Sequence, residues 1–317
     1  VLTAGLGTRF RPLSLERAKA AAPVAGVPLI HRILKWLRRS GVTSAVLNLH
    51  HRPETLTALV GDGSDLGMRV RYSWEPALLG SAGGPRLALD LVESDPFLIV
   101  NGDTLTDLDP GPLLRAHLAS DAVVTMAVVP HPDPHRYGGV AVDESGAVTG
   151  FPRPGTHAGH HFIGIQAVRK ATFADLARGD YDESVGRLYP RLMADRRGSV
   201  RAFLCHARFH DVGTPADYLR TCLDLAAAER ARSTLTSAGR TGAGARVVDS
   251  VLWDDAVVET GAGVTRCVVG SGARIPPGVA YRDAAIVTAR DHRPNAGERL
   301  EHGLLVAPLS RSMAASS

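Results

Sequence analysis

The chain has 317 residues, of which 44% are hydrophobic and 21% charged. That is ordinary globular usage, and it excludes a disordered chain, a collagen-like repeat and a small disulfide scaffold. Thirty-six basic against 32 acidic residues leave a formal charge of +4. No basic run carries interleaved aromatics, so nucleic-acid binding is not favoured, and small anionic substrates suit the balance. Only Lys19, Lys35 and Lys170 are lysines; the other 33 basic residues (36 − 3) are Arg. No stretch reaches the ~18 consecutive apolar residues of a membrane span, so no membrane partner is expected. Cys205, Cys222 and Cys267 are odd in number and lack Cys-x-x-Cys spacing, which points to reduced thiols and a cytoplasmic protein.

Only Val1-Leu2 precede the first glycine-rich segment, too few for a buried strand of about five residues. The expectation is that several residues ahead of Val1 are absent. Leu29, Ile30, Ile33, Leu34 and Leu37 then recur at helical spacing between Pro28 and Gly41. Ser44–Leu49 predicts a strand, Pro53–Val60 a helix, Arg69–Trp74 a half-buried strand, Pro85–Val92 a helix and Phe97–Val100 a fully buried strand. Val123–Val129 is a further strand. This rhythm predicts an α/β fold with a doubly wound, mostly parallel sheet. Between Gly139 and Val168 turn signals crowd together, predicting an antiparallel excursion. Helices return at Glu183–Asp195 and Pro215–Arg230, the second with Thr214 as cap.

A Ser/Thr/Gly-rich run from Ser233 to Gly244 reads as a linker. Beyond it Val251, Val257, Gly263, Val269, Ile275, Tyr281 and Val287 stand six residues apart among turn formers. A hexapeptide period predicts short parallel strands, three per coil, with the aliphatic position inward: a left-handed parallel β-helix. An ordinary β-meander is the plainer alternative. The expected organisation is a domain over 1–232, a linker over 233–245, the coil over 246–290, and a cap and tail over 291–317.

Glycines at 5 and 7 let the backbone turn sharply and bring its N–H groups close to an anion. There is no Gly-Lys-Ser/Thr and no third glycine of a dinucleotide fingerprint, since position 10 is Phe. The longer string is more specific: Gly5-x-Gly7-Thr8-Arg9-x-x-Pro12-Leu13-Ser14, Arg17-Ala18-Lys19, then Pro23-Val24-x-Gly26-x-Pro28-Leu29. It resembles the signature of the sugar-1-phosphate nucleotidylyltransferases (NDP-sugar pyrophosphorylases). Glu75 with Leu79-Gly80-Ser81-Ala82-Gly83-Gly84 looks like that family's base- and ribose-contacting loop. Asn101-Gly102-Asp103 follows a buried strand where the family keeps a metal-binding Asp. Tyr137-Gly138, Phe151-x-Arg153-Pro154 and Phe162-x-Gly164-Ile165 resemble its sugar-binding stretch, and His210-Asp211-Val212-Gly213-Thr214-Pro215 its second metal Asp. The match covers about residues 1–230, and the subgroup it most resembles is mannose-1-phosphate guanylyltransferase-like. Two departures stand out: Ala20 replaces the Pro after the signature Lys, and Pro152 replaces a Glu common before the Arg/Lys-Pro pair.

The resemblance implies a Rossmann-like nucleotidyltransferase domain that joins a nucleoside triphosphate to a sugar 1-phosphate. Catalysis of that kind rests on positioning and charge neutralisation. By the resemblance, Ala4, Gly5, Leu6, Gly7 and Thr8 cradle the triphosphate and Arg9 and Lys19 are catalytic. Glu75, Gly80, Ser81 and Gly83 bind the nucleotide, Gly138 and Arg153 the sugar phosphate, and Asp103 and Asp211 hold Mg²⁺. Taken singly, Arg9 and Lys19 read as solvated charges, Asp103 as a turn residue and Asp211 as a helix cap. His157, His160 and His161 lack a further ligand at useful spacing for zinc. Trp36, Trp74 and Trp253 read as packing residues. Three other readings compete: a uridylyl- or thymidylyltransferase acting on another sugar phosphate, a catalytically silent nucleotide-sugar sensor, and an acyltransferase suggested by the hexapeptide run alone. The coil is expected to serve packing or homo-oligomerisation.

Overall fold

A computed structural model describes residues 1–156, 159–230, 235–236 and 238–309. His157, part of the expected linker and the end of the tail lie outside the described residues. The chain divides into two compact units: Val1–Gly5 with His31–Phe209, and Leu6–Ile30 with His210–Ser317. Among the described residues no helix is long and apolar enough to cross a membrane.

The first unit is a mixed α/β layer structure. Helix α1 (Leu29–Arg39) buries Ile33, Leu34 and Leu37 at the spacing the sequence predicts, and Gly41 ends it with a left-handed φ of 89°. Strand β1 (Ser44–Leu49), helix α2 (Pro53–Val60) and strand β2 (Arg69–Trp74) follow, and β1 and β2 pair in parallel from Ser44↔Arg69 to Leu49↔Trp74. Helix α3 (Gly80–Ala88) leads to strand β3 (Phe97–Val100), and helix α4 (Pro110–Leu118) to strand β4 (Val124–Pro130). Strand β5 (His160–Val168) lies between β4 and β3 and runs antiparallel to both. Helix α5 (Tyr189–Asp195) precedes strand β6 (Val200–Leu204), which pairs with β4 in parallel. The sheet is thus less uniformly parallel than the βαβα rhythm suggests. The expected excursion inserts its longest strand into the ladder, while Ala141–Val142 and Val148–Gly150 form a small antiparallel pair.

Ile99, Val124, Met126, Val128, Val168, Phe173, Tyr189 and Val200 form the core of this unit. Full burial of such side chains contributes roughly 1.5–3 kcal/mol each. Helix α3 departs from expectation by starting at Gly80 rather than Pro85. Its first-turn amides need acceptors, and the Asp182 carbonyl takes both Ala82 N–H (2.9 Å) and Gly83 N–H (3.2 Å). An acceptor a hundred positions away is invisible to local propensity. The predicted helix at Glu183 begins as a wider π turn over Ser184–Leu188 before α5.

The second unit holds three short 3₁₀ turns, Thr8–Phe10, Leu13–Leu15 and Lys19–Ala21, and helix α6 (Pro215–Ala228). The Thr214 hydroxyl accepts from Asp217 N–H at 3.2 Å, a cap that contributes about 1 kcal/mol. Beyond α6 lie three parallel ladders of short strands. Arg240–Thr241, Val257–Val258 and Arg274–Ile275 make the first. Arg246–Val248, Gly263–Thr265 and Ala280–Arg282 make the second. Val251–Leu252, Val268–Val269 and Ala284–Thr288 make the third, which Leu304–Pro308 and Arg299–Glu301 extend in antiparallel fashion. Partners stand 17 positions apart, as in Arg240, Val257 and Arg274. The first of these strands lies inside the run that composition marks as linker.

The core of the coil comprises Leu252, Val258, Val264, Val269, Ile275, Tyr281 and Ile286. The six-residue register therefore holds at 269, 275 and 281 and slips by one at 251, 257, 263 and 287. One corner per coil is a residue shorter. There Asp249, Arg266 and Asp283 adopt left-handed φ of 45°, 49° and 51°, and Arg266 grips both Asp283 oxygens at 2.6 Å. Gly263, an exception to the aliphatic rule, gives way to Val264; Tyr281 does point inward.

Candidate active site

The glycine-rich loop begins where Leu2 bridges Asn48 and Asn101, both in parallel fashion. Gly5, Leu6, Thr8 and Arg9 are exposed, Gly7 is half-buried and Ala4 is buried. Gly7 has a left-handed φ of 63°, and a Cβ there would stand 3.1 Å from Ser14 Cβ, so both backbone and packing require glycine. Among the described residues no hydrogen bond is formed by the backbone N–H groups of Gly5, Leu6 and Gly7. Amides left without an internal acceptor on a glycine-rich turn suit an anion.

Three other segments of the first unit meet the start of this loop. Gly102 N–H donates to Leu2 O at 2.9 Å, and Asn101 N–H to Gly164 O at 2.8 Å. These bonds set Asp103, half-buried, on a turn after β3. Thr3 N–H donates to Asn48 Oδ1 (2.6 Å), Asn48 Nδ2 donates to Glu75 Oε1 (2.7 Å), and Leu79 N–H donates to Glu75 Oε2 (2.9 Å). Glu75 is fully buried. Helix α3 comes so close that a Cβ on Gly84 would lie 2.4 Å from Glu75 Oε1, which explains the second glycine of Gly83-Gly84.

Glu75, Ser81 and Gly83, which the resemblance assigns to the nucleotide, each also engage partners within the protein. Both Glu75 oxygens serve protein donors. Gly83 is buried and its N–H is bound to Asp182 O. The Ser81 hydroxyl lies 2.9 Å from Ser184 Oγ and accepts from Ser184 N–H. Gly80 is half-buried. Asn48 and Thr3 are not among the residues singled out from the sequence; the signal it holds is an Asn inside the apolar strand Ser44–Leu49.

Elsewhere in the first unit, Gly138 is exposed and its carbonyl is 3.1 Å from His161 Nδ1. Gly139 N–H donates to Pro152 O at 2.9 Å, which ties the Tyr137-Gly138 turn to the segment carrying exposed Arg153. The His161 ring packs against Tyr137 (4.7 Å between centroids) and Phe209 (5.2 Å). Burial lowers its pKa, the Gly138 carbonyl partly opposes this, and His131 adds to the lowering. A cavity of about 490 Å³ in this unit is walled by Leu37, Val46, Phe97 and Leu114, and none of the expected site residues lines it. Trp74 is 52% exposed rather than packed, resting beside His50 at 6.3 Å.

The second unit carries Arg9 on its first 3₁₀ turn and half-buried Lys19 on its third. Ala20, where the family has Pro, is buried, and Ala21 N–H and Ala22 N–H close the turn on the Ala18 and Lys19 carbonyls. Asp211 is half-buried at the end of the strand Phe209–Asp211. A Cβ on Gly213 would lie 3.2 Å from Asp211 Oδ2 and 3.5 Å from Asp217 Oδ2, so two carboxylates face the space that glycine leaves open. Asp217 also accepts from Arg220 (2.7 Å) and from the Thr214 hydroxyl (2.8 Å). The donors at Asp103 and Asp211 are hard oxygens, the chemistry Mg²⁺ prefers. Among the described residues no group of three or more His, Cys, Asp or Glu gathers to hold an ion. A site with one or two carboxylates takes its remaining ligands from phosphates and water, as Mg²⁺ commonly does.

Comparison with known proteins gives a consistent result. Residues 1–227 match the nucleotidyl transferase family. The chain is 30% identical over 315 residues to mannose-1-phosphate guanylyltransferase of Mycobacterium tuberculosis, covering 96% of this chain and 82% of that one. It is 35% identical over 224 residues to N-acetylmuramate alpha-1-phosphate uridylyltransferase of Neisseria meningitidis, covering 68% and 92%. In fold it resembles crystalline HddC from Yersinia pseudotuberculosis complexed with GMP-PN. There the TM-score is 0.62 and the identity 25%, over 71% of this chain and 97% of that one. By its family match and its relatives, the chain belongs to the nucleotidyl transferase family.

Proposed function

We propose that this protein transfers a nucleoside monophosphate from an NTP to a sugar 1-phosphate, releasing pyrophosphate, and that GTP with mannose 1-phosphate is its preferred pair. The observation that carries the reading is the Gly5–Gly7 turn, exposed at Gly5 and Leu6 and half-buried at Gly7, whose backbone N–H groups form no hydrogen bond among the described residues and whose entry point, Leu2, accepts from Gly102 N–H beside Asp103. A phosphate oxygen of the sugar attacks the α-phosphorus; that P–O bond forms as the bond to the β-phosphate oxygen breaks, and no protein nucleophile is consumed. The Gly5–Thr8 amides hold the triphosphate, and the planar fork of Arg9 pairs with its outer phosphates. Lys19 offsets charge that develops at the reacting phosphate. Gly138 and Arg153 receive the sugar phosphate. Asp103 and Asp211 would hold Mg²⁺, which when bound supplies neutralisation of phosphate charge.

The coil, we infer, winds left-handed, because its inward aliphatic positions recur every five or six residues with three strands per turn. Copies associate through it, a reading supported by exposed Val248 and Leu300 and tested by sizing the purified protein. Cys205, Cys222 and Cys267 form no disulfide among the described residues, which suits the cytoplasm. A pyrophosphate-release screen of the nucleoside triphosphates against several sugar 1-phosphates, with Mg²⁺, tests the function. The highest rate is expected for GTP with mannose 1-phosphate. Release with no pair would replace this reading with that of a nucleotide-sugar sensor.

A further inference from the structure

The segment that carries Arg9 and Lys19 has little regular structure of its own. It consists of three 3₁₀ turns and a two-residue hairpin, Pro23–Val24 with Val27–Pro28. Its fixed points lie on α6 and the coil, within the same compact unit. The Arg17 guanidinium stacks 4.5 Å from the centre of the Trp253 ring, and its Nη2 donates to Asp254 Oδ2 (3.0 Å) and Ser271 Oγ (2.5 Å). Its neighbour Glu16 accepts from Ser271 N–H at 2.7 Å. The coil leaves room for that carboxylate: a Cβ on Gly270 would lie 2.7 Å from both Glu16 oxygens.

An aromatic column continues from Arg17. Fully buried Trp253 donates its Nε1–H to the Tyr218 hydroxyl at 2.8 Å, and that hydroxyl donates to the Pro23 carbonyl. The Tyr218 ring meets Phe10 edge-on at 5.5 Å. Arg11 then pairs with both Glu298 oxygens at 2.9 and 3.0 Å. Arg9 is thus one residue from an anchored Phe10, and Lys19 two residues from an anchored Arg17. Stacking and a planar fork together demand Arg, since a lysine supplies only a point charge.

We propose that the C-terminal coil is a positioning element for the reaction, with Arg17 and Glu16, docked on Trp253, Asp254 and Ser271, holding the loop that presents Arg9 and Lys19. This rests on the proposed function for its catalytic consequence and on the contacts alone for its structural one. Displacing a catalytic group by about an ångström is worth on the order of a hundredfold in rate.

The test is Arg17→Met, with the coil-surface double variant Asp254→Ala/Ser271→Ala as a milder break that leaves the segment's own sequence intact. The expected result is a fall in kcat of tenfold or more for the first and about threefold for the second, at temperatures well below either Tm. In a Lys19→Ala background Arg17→Met should cost several-fold less than in the parent, because the part of its effect that runs through Lys19 is already gone and only the part through Arg9 is left. A merely structural role would lower activity equally in both backgrounds. Hydrogen exchange of the full chain provides a readout independent of turnover: Arg17→Met and the double variant should expose amides within 6–30 while the core of the first unit stays protected. Turnover within twofold of the parent, equal losses in both backgrounds, or unchanged exchange over 6–30 would each overturn the proposal. If the parent reacts with no substrate pair, the functional reading fails and the exchange result alone decides the clamp.

Discussion

The buried chain Thr3–Asn48–Glu75–Leu79 allows a reciprocal exchange of its two central side chains. In the native arrangement three donors meet three acceptors: Thr3 N–H on Asn48 Oδ1, Asn48 Nδ2–H on Glu75 Oε1, and Leu79 N–H on Glu75 Oε2. Asn48→Asp alone sets one carboxylate against another across a 2.7 Å contact. Both cannot stay ionised there, and the cost is about 3–5 kcal/mol. Glu75→Gln alone leaves an amide NH₂ facing another N–H, at about 1–3 kcal/mol. The double variant Asn48→Asp/Glu75→Gln reverses the central bond. The new carboxylate at position 48 would accept from Thr3 N–H and from the new side-chain amide at position 75. The oxygen of that amide accepts from Leu79 N–H, so every donor is again matched and the net charge is kept. Stability of the double should lie within about 1 kcal/mol of the parent, a coupling of at least about 3 kcal/mol by urea denaturation of all four proteins. Nucleotide kcat/KM should follow the same order. A coupling below about 0.5 kcal/mol would refute the donor–acceptor assignment. Recovered stability without recovered nucleotide use would mean that Glu75 touches the base itself.

Other expectations can be checked directly. Lys19→Ala should lower kcat far more than nucleotide affinity, and equal losses in rapid-quench and equilibrium-binding measurements would remove it from the transition state. Asp103→Asn should raise the Mg²⁺ concentration needed for half-maximal turnover, and an unchanged titration would take it out of the metal site. Buried His117, beside the Thr125 hydroxyl at 2.8 Å, has its pKa pushed down to about 4 by burial and, secondarily, by Arg169, against a small opposing effect of Asp95. A depressed folded-state pKa gives stability that is complete above the ordinary imidazole value and lost as pH falls through the folded one. The loss should reach about 3 kcal/mol near pH 4. His117→Gln should flatten that slope in denaturation series between about pH 7 and 4.

The elements that sequence periodicity located were those whose partners do not alter their pattern: Ser44–Leu49, Pro53–Val60, Arg69–Trp74 and Phe97–Val100 all have the expected bounds. The structure departs from the sequence pattern where a distant group decides the local conformation. The Asp182 carbonyl turns Gly80–Gly84 into a helix start, and left-handed corners at Asp249, Arg266 and Asp283 shorten one step of every coil. The expected site residues sit on loops, turns, one strand end and the start of α3, in motifs the sequence displays, whereas the groups that brace them do not stand out in it. Arg17 stands in the signature string, but nothing in the sequence places Trp253 beneath it. Asn48 reads as a strand polar residue until Thr3 and Glu75 are seen on either side.

The seventeen-residue spacing has a practical implication for engineering. Because each rung of a solenoid rests chiefly on the rungs above and below, a rung copied whole after Ile275 would lengthen the stack while leaving untouched the surface that receives Arg17. An insert of eighteen residues would put every later rung out of phase with its neighbour. The stack can therefore be used as a modular spacer, provided its increments respect that odd number.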